Sequence, residues 1–131
     1  MTTWLFQTID PGRIEMIKAG HVEQWCVRRY CHEMQPSDTV FIWLGGAAPV
    51  RGIHGWGDFA SVPYIDAADR AFHVDVRYKQ RITPFINVDV LREHPILHTL
   101  PILRMPRATN FRLDNHQVAA LADVLKMAAQ A

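Results

Sequence analysis

The sequence predicts an α+β fold in which a twisted, partly closed β-barrel of about five to six strands is flanked by helices. Three observations indicate this architecture. Short apolar segments with glycine or proline at their ends recur along the chain, a glycine-rich stretch occupies residues 35–63, and an amphipathic helix closes the chain. Glycine within a strand often marks a bulge, a barrel corner or a close approach by a ligand. We therefore expect a curved sheet with an opening lined by aromatic residues.

The N-terminal part of the chain is predicted to hold two short strands and one helix. Residues 4–8 (WLFQT) form the opening strand, and residues 25–27 (WCV) form the second. Asp10 followed by Pro11 is a favourable helix start, and Gly20 is a natural residue to follow a helix end. The predicted helix has two buried apolar residues, Ile14 and Ile17.

The glycine-rich stretch contains the next two predicted strands. Pro36 and Asp38 indicate a turn. The following segment, residues 39–44 (TVFIWL), is too short for a helix and too uniformly apolar for a half-exposed strand, which indicates a buried strand. After a loop over residues 45–49, a second strand is predicted over residues 52–59.

Residues 72–78 carry the clearest strand pattern, because apolar and polar residues alternate strictly. Residues 82–86 are predicted to turn a corner, since Pro84 is unsuited to a central strand. Asp89 is predicted to cap a short helix over residues 90–94.

A longer helix is predicted at the C-terminus. Asp114, with Gln117 three residues later, forms a capping box. The apolar face of this helix repeats at helical spacing and comprises Val118, Leu121, Ala122, Leu125 and Ala129. Because no internal repeat or linker interrupts the chain, residues 1–131 are expected to form a single domain.

Composition and charge exclude several classes of protein. The chain has 131 residues, 49% of them hydrophobic and 21% charged, with a net charge of +1, which is unlike a strongly cationic binder of nucleic acid. The N-terminus lacks the pattern of a signal peptide, and no apolar run reaches the roughly 18–20 residues that cross a membrane. We expect a cytoplasmic protein in which Cys26 and Cys31 are reduced.

Sequence signatures of catalysis are missing. Neither serine lies in a nucleophile elbow, no glycine-rich phosphate loop carries the required lysine, and the His32-Glu33 pair lacks a second histidine at helical spacing. One cluster of potential zinc ligands matches no usual structural zinc module and comprises His21, Cys26, Cys31 and His32. We therefore predict a protein that is not an enzyme, with no metal site and no cofactor.

Aromatic and basic residues suggest a binding site instead. Trp25, Trp43 and Trp56 lie at strand ends or beside glycines. Singly, each is more typical of a core residue, but together they could line a slot for a flat ring. Three acid-free basic segments accompany them, namely residues 28–29, 77–81 and 104–112. Any one arginine is more typical of a solvated surface, whereas three such segments beside an aromatic slot fit phosphate contacts.

The chain resembles the EVE domain family, which belongs to the PUA-like group together with the YTH and ASCH domains. Five segments carry the resemblance in the expected order, residues 4–7 (WLFQ), 25–30 (WCVRRY), 34–43 (MQPSDTVFIW), 51–63 (RGIHGWGDFASVP) and 108–113 (ATNFRL). The resemblance implies a PUA-like barrel.

The resemblance also implies a function, the recognition of a modified base in nucleic acid. Some members of the family are attached to nucleases and recognise methylated or hydroxymethylated cytosine in DNA, and the related YTH domains hold methylated adenine of RNA in an aromatic cage. The expected ligand is therefore a flipped 5-methylcytosine or 5-hydroxymethylcytosine, in DNA rather than RNA. No membrane partner is expected, and a nuclease encoded nearby is the candidate protein partner. The alternatives are an RNA reader of a modified base, and a small-ligand protein or enzyme that uses the same pocket.

The resemblance also assigns residues to the site. The expected base-binding residues are Trp25, Cys26, Val27, Trp43, Gly45, Gly46 and Ile53, with Trp25 and Trp43 as the two walls and main-chain groups at the base edge. The expected contacts to the nucleic-acid backbone are Arg28, Arg29, Arg104, Arg107, Asn110 and Arg112. Trp56 is predicted to be a core residue.

Two departures from the family pattern affect these expectations. Ser37 stands where the family prefers glycine, so a type I turn is predicted there, since a positive φ would be strained. The loop at residues 45–49 (GGAAP) has no polar side chain for hydrogen bonds to a base. Recognition is therefore left to backbone groups and shape.

Overall fold

Seven strands form one curled sheet with four helices around it in the computed structural model, which describes the backbone of residues 1–130 and side chains through residue 127. The strands are β1 (Thr3–Thr8), β2 (Val22–Cys26), β3 (Thr39–Leu44), β4 (Gly52–Phe59), β5 (Tyr64–Ile65), β6 (Phe72–Asn87) and β7 (Asn110–Leu113). The helices are α1 (Pro11–Glu15), α2 (Val88–Glu93), α3 (Pro101–Arg104) and α4 (Asn115–Gln130). Among the described helices, none combines the length and apolar composition that a membrane crossing requires.

The strand order is β2-β6-β4-β3-β1-β7, with the short β5 paired to β6. All neighbouring strands are antiparallel except β1 and β3, which are parallel. The predicted α+β barrel is confirmed. Strands β2 and β7 are the two ends of this order, so closure of the barrel depends on contacts between them.

The sheet separates two hydrophobic clusters. The barrel cluster contains residues from β1 to β4, β6 and α1, including Trp4, Phe6, Trp25, Ile42 and Tyr78. The helix cluster lies between the other face of the sheet and helices α2 to α4, and includes Leu5, Trp43, Ile53, Phe111 and Leu121. Successive residues of a strand point to opposite faces, which is why Leu5 belongs to one cluster and its neighbours to the other.

Asp38 fixes the turn that precedes β3. Its buried carboxylate accepts hydrogen bonds from Trp4 Nε1 at 3.0 Å and from the Gln35 amide at 3.1 Å. The Asp38 amide donates to the Gln35 carbonyl at 3.2 Å, and Ser37 has φ of +71°. A positive φ at this position belongs to a type II turn. The type I prediction was therefore wrong, because the hydrogen bonds to Asp38 hold the chain in the strained form.

Strand β6 continues where a corner was predicted. The pairing of β6 with β4 shifts from Ile53↔Ile86 to Gly55↔Arg81, so residues 82–85 bulge out of the ladder. Pro84 lies in this bulge, where its missing N–H removes no hydrogen bond between strands. A second shift precedes Gly57, where a Cβ atom would collide with the carbonyl oxygen of Arg77. Gly57 therefore lies at a bulge of the sheet, as expected for a glycine within a strand.

The helix at the N-terminus is shorter than predicted, and the cap of α2 differs. Asp10 caps α1 as predicted, but the helix ends at Glu15, and the Gly20 amide bonds to the sheet at the Tyr78 carbonyl, 2.8 Å away. The cap of α2 is Asn87, whose side chain accepts from the Asp89 amide at 2.8 Å, so Asp89 lies in the first turn.

The capping box of α4 is confirmed, since Asp114 and Gln117 exchange side-chain to backbone hydrogen bonds of 2.8 and 3.0 Å. On the predicted apolar face Leu121 is buried, Val118 and Leu125 are half-buried, and Ala122 is exposed. The side chain of Ala129 lies outside the described residues.

Replacing Ser37 by glycine is expected to stabilise the protein. A left-handed conformation costs a non-glycine residue about 1–2 kcal/mol, of which glycine's greater freedom in the unfolded chain cancels about 0.5–1 kcal/mol. Urea unfolding should show a gain of about 0.5–1 kcal/mol in Ser37→Gly. The control is Gly20→Ala at φ +85°, where a Cβ meets nothing within 4 Å. It should lose about 1 kcal/mol, whereas a loss in Ser37→Gly would contradict the strain argument.

Candidate functional site

Trp25 is held in a fixed orientation inside the barrel cluster. Its indole Nε1 donates to the Tyr78 hydroxyl at 3.0 Å, and the Phe6 ring lies 5.9 Å away in a tilted arrangement. Strand β2 contributes the tryptophan, and its register opposite Val74 of β6 places the side chain on the inner face. Both the plane and the edge of the indole are thus set by neighbours.

The face of Trp25 is covered by a planar cation. The Arg13 guanidinium carbon lies 3.7 Å from the centre of the indole ring, so the two planar groups are in stacking contact. Arg13 Nε donates to Glu23 Oε1 at 2.6 Å, and Arg13 Nη2 donates to the Gln24 carbonyl at 2.8 Å. Trp25 is only 3% exposed beneath this cover.

Tyr78, which anchors Trp25, is a neutral hydroxyl over the physiological range. Burial raises the pKa of the Tyr78 phenol well above its ordinary value, and the charge of nearby Glu23 raises it further. Because the oxygen keeps its proton, it can accept from the Trp25 indole and still donate a hydrogen bond of its own.

Asn110 joins the two ends of the sheet. Its side chain is 1% exposed, and its Oδ1 accepts from the Arg28 amide at 2.7 Å while its Nδ2 lies 3.4 Å from the Cys26 carbonyl. The Arg29 guanidinium donates to the Asn110 carbonyl at 2.6 and 3.2 Å and lies over the Phe111 ring at 5.2 Å. Arg29 and Asn110, both predicted to contact phosphates, therefore hold the loop after β2 against β7.

The other predicted phosphate contacts lie on the surface. Arg112 pairs with Glu33 at 2.8 Å. Arg28, Arg104 and Arg107 are exposed, and no ion pair within the described part of the chain engages them. Arg28 directly follows the Trp25-Cys26-Val27 segment, so it is the exposed cation nearest to Trp25 in sequence.

The structure does not bring Trp25 and Trp43 together as two walls of one pocket. Trp43 is 1% exposed in the helix cluster, with Ile53 of the same set, whereas Trp25 lies in the barrel cluster. The expectation failed because the two side chains project from opposite faces of one sheet. Trp43 instead lines a separate cavity of about 290 Å³, together with Gln7, Gly46, Arg51, Val88, Arg92, Ile102, Leu103 and Pro106.

The main-chain groups that were expected at a base edge are largely engaged within the protein. The Val27 amide donates to the Phe72 carbonyl, and the Gly45 amide donates to the Thr8 carbonyl, each at 2.8 Å. The Gly46 carbonyl accepts from Arg51 Nη2 at 2.6 Å. The Cys26 carbonyl likewise contacts Asn110. All of these main-chain groups therefore form hydrogen bonds that stabilise the fold.

Trp56 is less buried than predicted. It packs against the helix cluster at its edge and lines a largely apolar cavity of about 530 Å³ between the sheet and α4. The prediction of a core residue therefore holds for only part of its side chain.

Arg13 and Glu23 are the residues around Trp25 that sequence reasoning missed. They lie ten positions apart, on α1 and on β2, and no motif links them. Tyr78 carried a usable signal, because the alternation over residues 72–78 places it on the buried face.

Comparison with known proteins identifies the family. The family model for the EVE domain matches residues 2–124. The chain belongs to the EVE domain family. No curated protein matches the sequence of this EVE domain.

Solved structures share the fold of this EVE domain at low sequence identity. A hypothetical protein from Leishmania major has a TM-score of 0.81 and 16% identity, covering 97% of this chain and 96% of that chain. A protein from Pseudomonas putida has a TM-score of 0.79 and 21% identity, covering 94% and 99%. Human THYN1, solved in complex with DNA containing 5-methylcytosine, has a TM-score of 0.76 and 16% identity, covering 98% of each chain. The fold predicted from the resemblance is thereby confirmed.

Removing the Asn110 side chain should loosen the closure of the barrel. Asn110→Ala leaves the partly buried Arg28 amide and Cys26 carbonyl without their side-chain partner, so we expect a loss of about 1–3 kcal/mol in the free energy of unfolding. Hydrogen exchange at the Arg28 amide should accelerate. The control is the exposed Asn115→Ala, which should change stability by less than about 0.5 kcal/mol. Unchanged exchange at Arg28 would contradict the closure role.

Tyr78 should make the protein sensitive to alkaline pH. Its pKa is raised on folding, so its contribution is fully present below about pH 10 and is lost as pH rises toward the higher folded-state pKa. Urea unfolding of the wild type between about pH 9 and 11.5 should therefore lose up to about 1.4 kcal/mol per pH unit from this residue. Tyr78→Phe should be less stable at neutral pH, since Trp25 Nε1 loses its acceptor, and should lack this part of the slope. An identical slope in both proteins would rule out Tyr78 as its source.

Proposed function

We propose that this EVE domain is a nucleic-acid-binding module that recognises a modified base flipped out of duplex DNA, with 5-methylcytosine or 5-hydroxymethylcytosine as the base. The observation that carries the proposal is the oriented indole of Trp25, which already holds a planar group in stacking contact at 3.7 Å. The complex of human THYN1 with DNA containing 5-methylcytosine supports the choice of ligand.

The energetics of a flipped base fit such a site. Extruding a base from a duplex costs a few kcal/mol, and stacking on an aromatic side chain returns about 1–3 kcal/mol. A buried methyl group adds about 0.8 kcal/mol, which alone gives only a few-fold preference for the modified base. Exclusion by the shape of the pocket, and for 5-hydroxymethylcytosine a hydrogen bond to the added hydroxyl, must therefore supply the rest of the selectivity for the modification.

The loop after β2 provides the adjoining phosphate contact in this proposal. Arg28 is exposed beside the Trp25 segment, and its backbone is fixed by Asn110. A fixed backbone lowers the entropic cost of placing the guanidinium against a phosphate. Arg29 contributes indirectly, because its guanidinium is bound to the Asn110 carbonyl. We assign Arg104 and Arg107 to phosphates of the nucleic acid that lie farther from the flipped base, since both side chains are exposed.

We further propose that the domain acts in the cytoplasm, where the free thiols of Cys26 and Cys31 would persist, and that it works as a binding module in association with a nuclease.

Competition between single-stranded RNA and duplex DNA tests the choice of polymer, since 2′-hydroxyl contacts favour RNA.

Replacing Trp25 by phenylalanine should reduce recognition of the modified base. Alanine is unsuitable, because truncating a buried tryptophan costs about 3–5 kcal/mol of stability. We expect Trp25→Phe to weaken binding of a duplex with one 5-methylcytosine by about 3- to 10-fold. Binding of the unmodified duplex, which rests on phosphate contacts, should stay unchanged. The measurement is a titration with duplexes carrying cytosine, 5-methylcytosine or 5-hydroxymethylcytosine over a salt series.

Trp43→Phe is the matched control, since it makes the same change on the opposite face of the sheet. It should leave the preference for the modified duplex intact. Equal affinity of the wild type for all three duplexes at every salt concentration would refute the proposed function. Loss of preference in Trp43→Phe instead of Trp25→Phe would place the site in the other cluster.

A further inference from the structure

Arg13 shows which hydrogen-bonding pattern the Trp25 site accepts. Its guanidinium lies over the indole, with the central carbon 3.7 Å from the ring centre, and donates two N–H groups, one to the Glu23 carboxylate at 2.6 Å and one to the Gln24 carbonyl at 2.8 Å. The site therefore combines a stacking surface with two acceptors that are both within reach of one stacked planar group.

From this arrangement we infer that the site selects a base with an exocyclic amino group, that Glu23 and the Gln24 carbonyl accept its N–H groups, and that the base displaces Arg13. The inference rests on the proposed function, because it concerns the base bound at Trp25. It supplies the hydrogen bonds that the loop at residues 45–49 lacks.

The chemistry of the bases separates them at such a site. Cytosine carries an amino group at N4 and adenine carries one at N6, whereas thymine has a carbonyl oxygen at the corresponding position. A carboxylate accepts from the cytosine amino group, but it repels a carbonyl oxygen and would lose its own partner. Methyl or hydroxymethyl groups at C5 leave the amino group intact, so 5-methylcytosine and 5-hydroxymethylcytosine both qualify.

Glu23 already acts as an acceptor in this site, since its Oε1 accepts a hydrogen bond from Arg13 Nε. Its side chain is 17% exposed, Arg13 is its ion-pair partner, and the neutral Tyr78 hydroxyl lies close enough for its pKa to be affected by the Glu23 charge. When Arg13 leaves, an incoming amino group replaces its N–H on the carboxylate, so the partly buried charge keeps a donor.

The closing experiment compares 5-methylcytosine with thymine, which differ at the amino position but share the C5 methyl group. Each is placed opposite an abasic site in an otherwise identical duplex, so that no base pair has to be opened. We expect the wild-type domain to bind the 5-methylcytosine duplex at least about 10-fold more tightly. Equal affinity for these two duplexes would overturn the inference.

Three variants identify the residue that makes the choice. Glu23→Gln should lose most of the preference, because its amide can donate to the thymine oxygen as readily as it accepts from an amino group. Arg13→Ala should retain the preference, since both acceptors stay in place. Glu33→Gln is the matched control, as it removes a carboxylate from another ion pair, with Arg112 at 2.8 Å. It should also retain the preference.

The outcomes separate this inference from the proposed function. Preference for 5-methylcytosine over thymine without preference over cytosine would support the inference and refute recognition of the modification. Preference over cytosine but not over thymine would support the modification reader and overturn the inference. Loss of preference in Arg13→Ala but not in Glu23→Gln would overturn it as well, and the absence of binding to any duplex would refute both proposals.

Discussion

The buried amide of Asn110 is the contact on which the closed form of the sheet depends. Strands β2 and β7 are the ends of the strand order, and the side chain of Asn110 accepts from Arg28, just after β2, and donates to Cys26, the last residue of β2. An amide buried to 99% requires such partners, so the residue and its surroundings constrain one another. The same closure positions the segment that carries Trp25 and Arg28.

A single sheet that packs apolar residues on both faces divides the protein into two chemically separate regions. On the barrel side the tryptophan is surrounded by groups that can orient a planar ligand, namely Tyr78, Arg13 and Glu23. On the helix side Trp56 lines a largely apolar cavity, whereas the smaller cavity at Trp43 has a mixed lining that includes Gln7 and Arg51. Similar residues thus have different chemical uses, because their local neighbours differ.

The sequence predicts those parts of the fold that rest on local physics. The capping box of α4 and the alternation in β6 need only residues close in the chain, and both are found. The family resemblance supplied the barrel. The sequence did not reveal that Trp25 and Trp43 lie on opposite faces of the sheet. Strand β3 (TVFIWL) is apolar on both sides, so no alternation of polar and apolar residues indicates which face Trp43 occupies.

Two further features lay beyond sequence reasoning for a similar reason. The stacking of Arg13 on Trp25 joins residues of different elements, and any of the arginines would have been equally plausible there. The left-handed conformation of Ser37 runs against local preference and is held by its amide, which donates to the Phe59 carbonyl, and by the hydrogen bond from Trp4 to the neighbouring Asp38. In both cases tertiary contacts outweigh the propensities that a sequence displays.

The position of β1 between β3 and β7 has a consequence for the order in which the strands can pair during synthesis. Among the strands of this sheet β1 is translated before the others, yet it pairs with β3 on one side and with β7, at residues 110–113, on the other. Its second partner therefore emerges only after strands β2 to β6 have been translated. Until then β1 lacks one of its two neighbouring strands and its apolar residues are incompletely buried. This domain therefore completes its fold late in its own synthesis, not progressively from its N-terminus.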